Sequence, residues 1–369
     1  MTGACTSADE PATSSHAPTP FAASSAAPSP APPAPAIRRI SVVSSRAVWA
    51  ITDRKLFVTL DGGGTWAERT PPGDRPIAGM FTLDGSRGWI AVVTNGGRRV
   101  VVASTEDSGR NWAMSPLPRR FRKGTDTAVS LSFIDGRRGW AAVHEGFSVF
   151  RTVDGGLRWK SPCIRCGVSG PISFTGPKTG WALVDRSRLA RTGDGGRTWR
   201  DIALPKGLPG GGRRALSLPH FLSPRFGVIE GTFSKTTPTA VIVTTVEFFV
   251  IRDGNESQGG TSPLSAHEFK GYVASGVPAD VISEEDWVVG SPAGLYETHD
   301  AGRTWGLQVP DVSFDAVAQV DFVSTEVGWV LVTDGDCPSA TPTCRSAPRL
   351  FRTVDGGVHW VRDDPGVDA

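Results

Sequence analysis

Six aspartates recur in one eight-residue frame, Thr-x-Asp-x-Gly-x-x-Trp, and are the most conspicuous candidates for chemistry in the chain. Asp61, Asp107, Asp154, Asp194, Asp300 and Asp355 occupy it in segments 59–66, 105–112, 152–159, 192–199, 298–305 and 353–360. Carboxylates held about 5 to 10 Å apart can cleave a glycosidic bond as acid and base or nucleophile. Arginines form a second group. Arg119, Arg120, Arg122 and Lys123 surround Phe121 with no acid among them, and Lys206, Arg213 and Arg214 flank Gly210-Gly211-Gly212. Their guanidinium forks suit an anionic partner, with a solvated loop as the competing reading. Cysteines form a third group: Cys163 and Cys166 as Cys-Ile-Arg-Cys, and Cys337 and Cys344 around a Pro- and Thr-containing loop. A zinc site needs two further ligands at suitable spacing, and a redox pair of this spacing normally opens a helix. Two local disulfides are the reading that an oxidising compartment favours, and they leave Cys5 alone.

The frame also identifies the elements that must position these groups. An apolar run opened by Trp precedes each copy, at Trp49, Trp89, Trp140, Trp181, Trp287 and Trp329, so two positions per unit consume all twelve tryptophans. Between Trp199 and Trp287 the interval doubles, which predicts a degenerate copy. There Phe226-Gly227-Val228-Ile229 replaces the Trp-led run, and 251–258 keeps Asp253 and Gly254 but loses Thr and Trp. With Gln258 in the Trp slot, successive slots lie 46, 47, 40, 59, 47 and 55 residues apart. Each unit reads as four short strands separated by Gly, Pro, Asp and Ser; in the fourth unit these are 172–174, 181–184, 189–192 and 199–202. Such a meander, repeated at this period, is the signature of propeller blades. The sequence therefore predicts an all-β fold, a seven-bladed β-propeller of four-stranded antiparallel blades over 37–369. An opening strand at 40–43 and a closing strand after Trp360 predict that the first and seventh blades pack together without exchanging a strand.

The frame resembles the Asp-box, or BNR, repeat, over essentially the whole chain after residue 37. In this reading each Asp accepts backbone N–H groups two or three residues on, the following Gly supplies positive φ, and Trp covers the hairpin between third and fourth strands. The six aspartates are then structural and not catalytic, and the Trp-led strands pack between blades, with ligand stacking as the competing reading. Asp-box repeats occur in sialidases and other glycoside hydrolases. Sialidases need three arginines, a Tyr paired with a Glu, and an Asp acid. Here Tyr296 stands two residues before a frame, Tyr272 and Glu230 could meet on the loop face, and Arg38-Arg39-Ile40-Ser41 lacks the Arg-Ile-Pro of that family. Gly180-Trp181-Ala182 followed by 192–199 is more similar to the photosystem II assembly and stability factor family. That resemblance implies a noncatalytic propeller that binds partner proteins.

In such blades the frame turns share one face with the loops between first and second strands. The opposite face carries the second-to-third loops and the links between blades, where departures from the repeat collect: 115–125, 161–170, 205–214, 259–277 and 333–349. Function is expected on that face. A net charge of +2 removes the simplest case for nucleic-acid binding, and no run of eighteen apolar residues is available to span a membrane. Residues 6–36 are Ala, Pro, Ser or Thr at 27 of 31 positions, so 1–36 reads as an extended, disordered linker. Thr2-Gly3-Ala4-Cys5 resembles the end of a bacterial lipoprotein signal, and because only four residues precede Cys5 the true start is expected upstream; an ordinary N-terminal Cys is the alternative. The combined expectation is a monomeric, noncatalytic, extracytoplasmic propeller, secreted or lipid-anchored through Cys5, with no cofactor or metal. Arg119, Arg120, Arg122, Lys123, Lys206, Arg213 and Arg214 would hold a protein or glycan of the envelope. A glycoside hydrolase or sialidase-like enzyme is the alternative.

Overall fold

Each Trp-led run is apolar on both sides of the chain, as a strand buried on both faces must be. In the computed structural model these runs are second strands of four-stranded antiparallel sheets. Seven such sheets follow one another as blades of a β-propeller: 39–68, 77–116, 129–163, 172–201, 213–270, 279–308 and 316–362 for blades 1 to 7. The structure describes residues 36–121, 127–144, 148–164, 166–168, 170–202, 213–236, 242–252, 263–270, 278–291, 293–314, 316–333 and 348–366. For 213–214, 233–236, 242–245, 247, 252 and 263–270 only the backbone is described. The linker up to residue 35, Cys5, Arg122, Lys123, Lys206, Asp253, Tyr272, Cys337 and Cys344 lie outside these residues. Among the described residues no helix is long and apolar enough to cross a membrane.

Residues 34–369 form one unit, but its core is divided into layers. Seven apolar clusters each combine side chains of two adjacent blades. Trp140 of blade 3 stacks on Phe174 of blade 4, centroids 3.8 Å apart and 3° from parallel, and Trp89 stacks on Phe133 across the preceding junction at 3.7 Å. Their indole N–H groups donate to Gly195 and Gly155 carbonyls in the next blade's turn. Gly before Trp has a steric reason: a Cβ at Gly139 would lie 2.2 Å from the Phe133 ring.

The ring closes by packing blade 1 on blade 7, with no exchanged strand. The Ile40 N–H donates to Gln319 Oε1 (3.0 Å), Gln319 Nε2 returns a bond to the Ile40 carbonyl (2.8 Å), and the Val42 N–H donates to Asp321 (3.0 Å). Farther out, Asp363 of blade 7 accepts indole N–H groups from Trp66 of blade 1 (2.9 Å) and Trp329 of blade 7 (2.7 Å).

Blade 5 departs from the pattern, as its sequence does. Its second and third strands, Phe226–Thr236 and Ile242–Arg252, run eleven residues each. Its inner strand is split into Arg213–Leu216 and His220–Ser223, both paired with Phe226–Thr236. Pro219 lies in the break, where it has no N–H to offer the ladder. Blade 6 also shifts register. Trp287 pairs with Thr298, the place Gly takes in blades 2, 3, 4 and 7, and its N–H goes to Ser283 of its own blade.

Candidate functional site

The six frame aspartates are occupied within their own turns. In blade 4 the Thr192 hydroxyl donates to Asp194 (2.8 Å) and accepts the Gly196 N–H (3.0 Å). Asp194 also accepts the N–H groups of Arg197 and Thr198 (2.9 Å each) and the Thr198 hydroxyl (2.6 Å). The Thr-to-Asp bond and a bond from the N–H four residues on recur at Asp61, Asp107, Asp154, Asp300 and Asp355. The recurring bond reaches four residues, one beyond the two or three that the sequence suggested, while the three-residue bond is also made by Arg197 in blade 4. Two successive residues after Asp take positive φ, Gly195 at 76° and Gly196 at 89° in blade 4, which carries the chain over the carboxylate before it returns. The Thr65 hydroxyl, then the Thr59 hydroxyl and the Thr65 N–H, hold Asp61 at about 2; the Thr304 N–H and hydroxyl hold Asp300 at about 2. A carboxylate so firmly ionised is poorly suited to donate a proton near neutrality.

Three other arginines are built into the frame. Arg151, Arg191 and Arg352 pair across strands with Trp140, Trp181 and Trp329, their guanidinium carbons 5.4, 5.7 and 5.3 Å from the ring centroids.

The opposite face gathers arginines around open space. In blade 2 the second strand, Gly88–Thr94, turns through Asn95, Gly96 and Gly97, all at positive φ, into the third, Arg99–Thr105. After the fourth strand, Ala113–Pro116, the link toward blade 3 buries Leu117 and Phe121. Phe121 meets Phe150 edge-on (6.2 Å, 84°), and its N–H donates to the Arg98 carbonyl (2.9 Å). The link is thereby fastened to the hairpin tip, and Arg120, between the two anchors, is left exposed. Arg98, Arg99 and Arg120 line one cavity of about 390 Å³, together with Asn95 and Gly96. None of the three guanidiniums forms an ion pair among the described residues.

Of the arginines singled out in the sequence, Arg120 lines this cavity, whereas Arg119 is engaged by blade 3 through the Ser148 hydroxyl (2.5 Å). Arg213 and Arg214 belong to the inner strand of blade 5, opposite Ser234 and Phe233, and not to a loop. Arg98 and Arg99 were missed. Their signal was the turn run Asn95-Gly96-Gly97 directly before two arginines, which places them at a hairpin tip beside the link.

Other polar groups brace the ring. Buried Ser132 and Asp280 and half-buried Asp321 each accept an N–H from the next blade's inner strand, those of Phe174 (2.9 Å), Phe322 (2.6 Å) and Val42 (3.0 Å). This covers strand edges that would otherwise lie bare. Burial pushes both carboxyls up. His220, 3.7 Å away, opposes this at Asp280; at Asp321 the charge of Asp280 adds to it and Arg39 opposes it. A smaller hollow of about 280 Å³ on blade 6 is lined by Glu297, His299, Asp300, Thr304 and Gln308 among others. His299 Nδ1 lies 2.8 Å from Asp286, and burial raises Glu297, but the Thr304 hydroxyl is committed to Asp300. Glu230 is buried and accepts the Thr232 hydroxyl (3.2 Å). Among the described residues no group of three His, Cys, Asp or Glu side chains is placed to hold a metal ion. Cys163 ends the fourth strand of blade 3 and its sulfur faces that of Cys166, with Cα atoms 5.7 Å apart.

No family model matches the chain, and no curated protein matches it. Solved structures do. The chain is similar to YCF48 bound to a D1 peptide, at 18% identity over 88% of this chain and 93% of that one, with a TM-score of 0.56. It is similar to YCF48 from Cyanidioschyzon merolae at 16% identity over 83% and 89%, TM-score 0.52. A GH74 xyloglucanase from Xanthomonas campestris is 12% identical over 86% of this chain and 65% of that one, TM-score 0.44. Likeness at these identities is a likeness of fold.

Proposed function

We propose that this chain is a noncatalytic, extracytoplasmic propeller that binds a protein partner of the cell envelope through the loop face of blades 2 and 3. The observation that carries this reading is the cavity between hairpin tip and blade link, where Arg98, Arg99 and Arg120 stand with no ion pair among the described residues. Guanidinium forks without an internal partner offer bidentate contacts to an external anion. The solved propeller that holds a D1 peptide supports a polypeptide as the partner. The frame aspartates are structural in this reading, because turn bonds already occupy them. A disulfide between Cys163 and Cys166 and a lipid on Cys5 complete it.

Cross-linking in the native envelope followed by mass spectrometry tests the reading. One partner is expected with the wild-type chain, and it should be lost from an Arg98→Glu/Arg120→Glu variant of unchanged melting temperature. Undiminished recovery with that variant refutes the site. No turnover of a panel of chromogenic glycosides, sialosides included, is expected; turnover would refute the noncatalytic reading. Intact mass of the native protein should show a lipidated Cys5, and an unmodified Met1 would remove the anchor.

A further inference from the structure

We infer that the cavity formed by Arg98, Arg99 and Arg120 is a receptor for a phosphate monoester. The inference rests on the reading of this face as the binding face and specifies the chemistry it takes. Three guanidiniums bring their forks to one space. Assembling like charges without an internal counter-ion is unfavourable, and the ligand that relieves it best carries more than one negative charge. A carboxylate supplies one charge and two oxygens. A phosphate monoester supplies nearly two charges and three terminal oxygens, enough acceptor positions for a fork from each arginine.

The surroundings agree. Asn95 adds a neutral donor, and Gly96 leaves its part of the wall without a side chain. Among the described residues no apolar side chain lines the space, which suits a phosphoryl group better than an acyl chain or an aromatic ring. About 390 Å³ holds a phosphoryl group and the first atoms of whatever it esterifies. The mount is fixed in advance, because buried Phe121 and its bond to the Arg98 carbonyl tie the backbone beside Arg120 to the opposing hairpin. Donors positioned before binding lose less freedom when the ligand arrives.

The test is calorimetric titration of the full chain with inorganic phosphate, against chloride at matched ionic strength. A parallel titration uses a phosphoserine peptide and its unphosphorylated form. Saturable binding of one phosphate is expected. Arg99→Ala and Arg120→Ala should each weaken it roughly tenfold or more, and Arg120→Lys should recover only part, because an ammonium is not a fork. Arg46→Ala, in a loop of the opposite face, should leave it unchanged. A phosphoserine peptide that binds more tightly than phosphate identifies an ester carried on a polypeptide; equal affinities identify a free phosphorylated small molecule. Absence of saturation beyond chloride, or equal weakening by Arg46→Ala, overturns the inference. If phosphate fails to bind while charge reversal still abolishes partner recovery, the phosphate assignment falls and the partner reading stands. If phosphate binds while charge reversal leaves partner recovery untouched, the phosphate assignment stands and the partner reading falls.

Discussion

Removal of one framework tryptophan should destabilise the ring without touching the loop face, and Trp140 allows the size of the effect to be worked out. Its side chain is fully buried, lies 3.8 Å from the Phe174 ring centroid, and donates to the Gly195 carbonyl at 3.0 Å. A buried aromatic removes roughly 150–250 Å² from water, worth about 4–6 kcal/mol at 25 cal/mol per Å². Truncations of buried Trp to Ala measure about 3–5 kcal/mol, so about 4.5 kcal/mol is expected for Trp140→Ala. The folded unit spans residues 34–369, and its unfolding entropy is then about 0.7 kcal/mol per kelvin. The melting temperature should fall by about 6 °C. Trp140→Phe keeps the stack but loses the N–H bond and some volume, at about 2 kcal/mol, or roughly 3 °C. Differential scanning calorimetry reads both, and phosphate titration of the same variants should match the wild type. A shift under about 1 °C for Trp140→Ala, or weakened phosphate binding at an unchanged melting temperature, would show that this tryptophan serves a ligand and not the junction.

Three further outcomes are expected. Asp363→Ala deprives the Trp66 and Trp329 indoles of their common acceptor at the ring seam, so it should cost about 2–4 kcal/mol and lower the melt by roughly 3–6 °C; a neutral result would mean that the seam does not depend on this bond. Asp280 is raised by burial, so its favourable contribution is full below the ordinary carboxylate range and is lost as pH rises through its folded value. Asp280→Asn removes the charge and keeps one acceptor, for the Phe322 N–H, while losing the one for the Val281 N–H, so its melt relative to the wild type should be higher at pH 8 than at pH 4; an equal difference at both contradicts the reading. A disulfide between Cys163 and Cys166 closes a very short loop, so its reduction should cost roughly 2 kcal/mol or less; free thiols in alkylated, oxidised protein would show that no bond forms.

What the sequence disclosed depended on whether a feature repeats. Trp140 and Trp89 could be placed because the same residue at the same interval must meet the same neighbour, and both stack across a junction. The closure of blade 1 on blade 7 was readable because each end carries its own strands. The four-residue reach of the frame aspartate was not evident, since the left-handed residue directly after it is Ser108 or Ala301 in two blades and carries no glycine to mark it. The shift of Trp287 was hidden because Asp286 fills the place of Gly without revealing which residue opposes Thr298. The cavity was half legible. Arg120 belonged to a visible basic run, but Arg98 and Arg99 lie some twenty residues earlier, and bonds from the Leu117 and Phe121 N–H groups to the Val100 and Arg98 carbonyls bring the two segments together. The placement of Arg213 and Arg214 was corrected for the converse reason: a Gly-rich approach suggested a loop, while pairing with Ser234 and Phe233 draws both into a strand.

The most direct measurement is partner recovery from the native envelope after cross-linking, compared between the wild type and Arg98→Glu/Arg120→Glu. Reversal of two charges on an exposed rim leaves the inter-blade layers intact, so both proteins should melt together. One cross-linked protein is expected with the wild type and none with the variant. The same protein recovered in equal amount from both would contradict it.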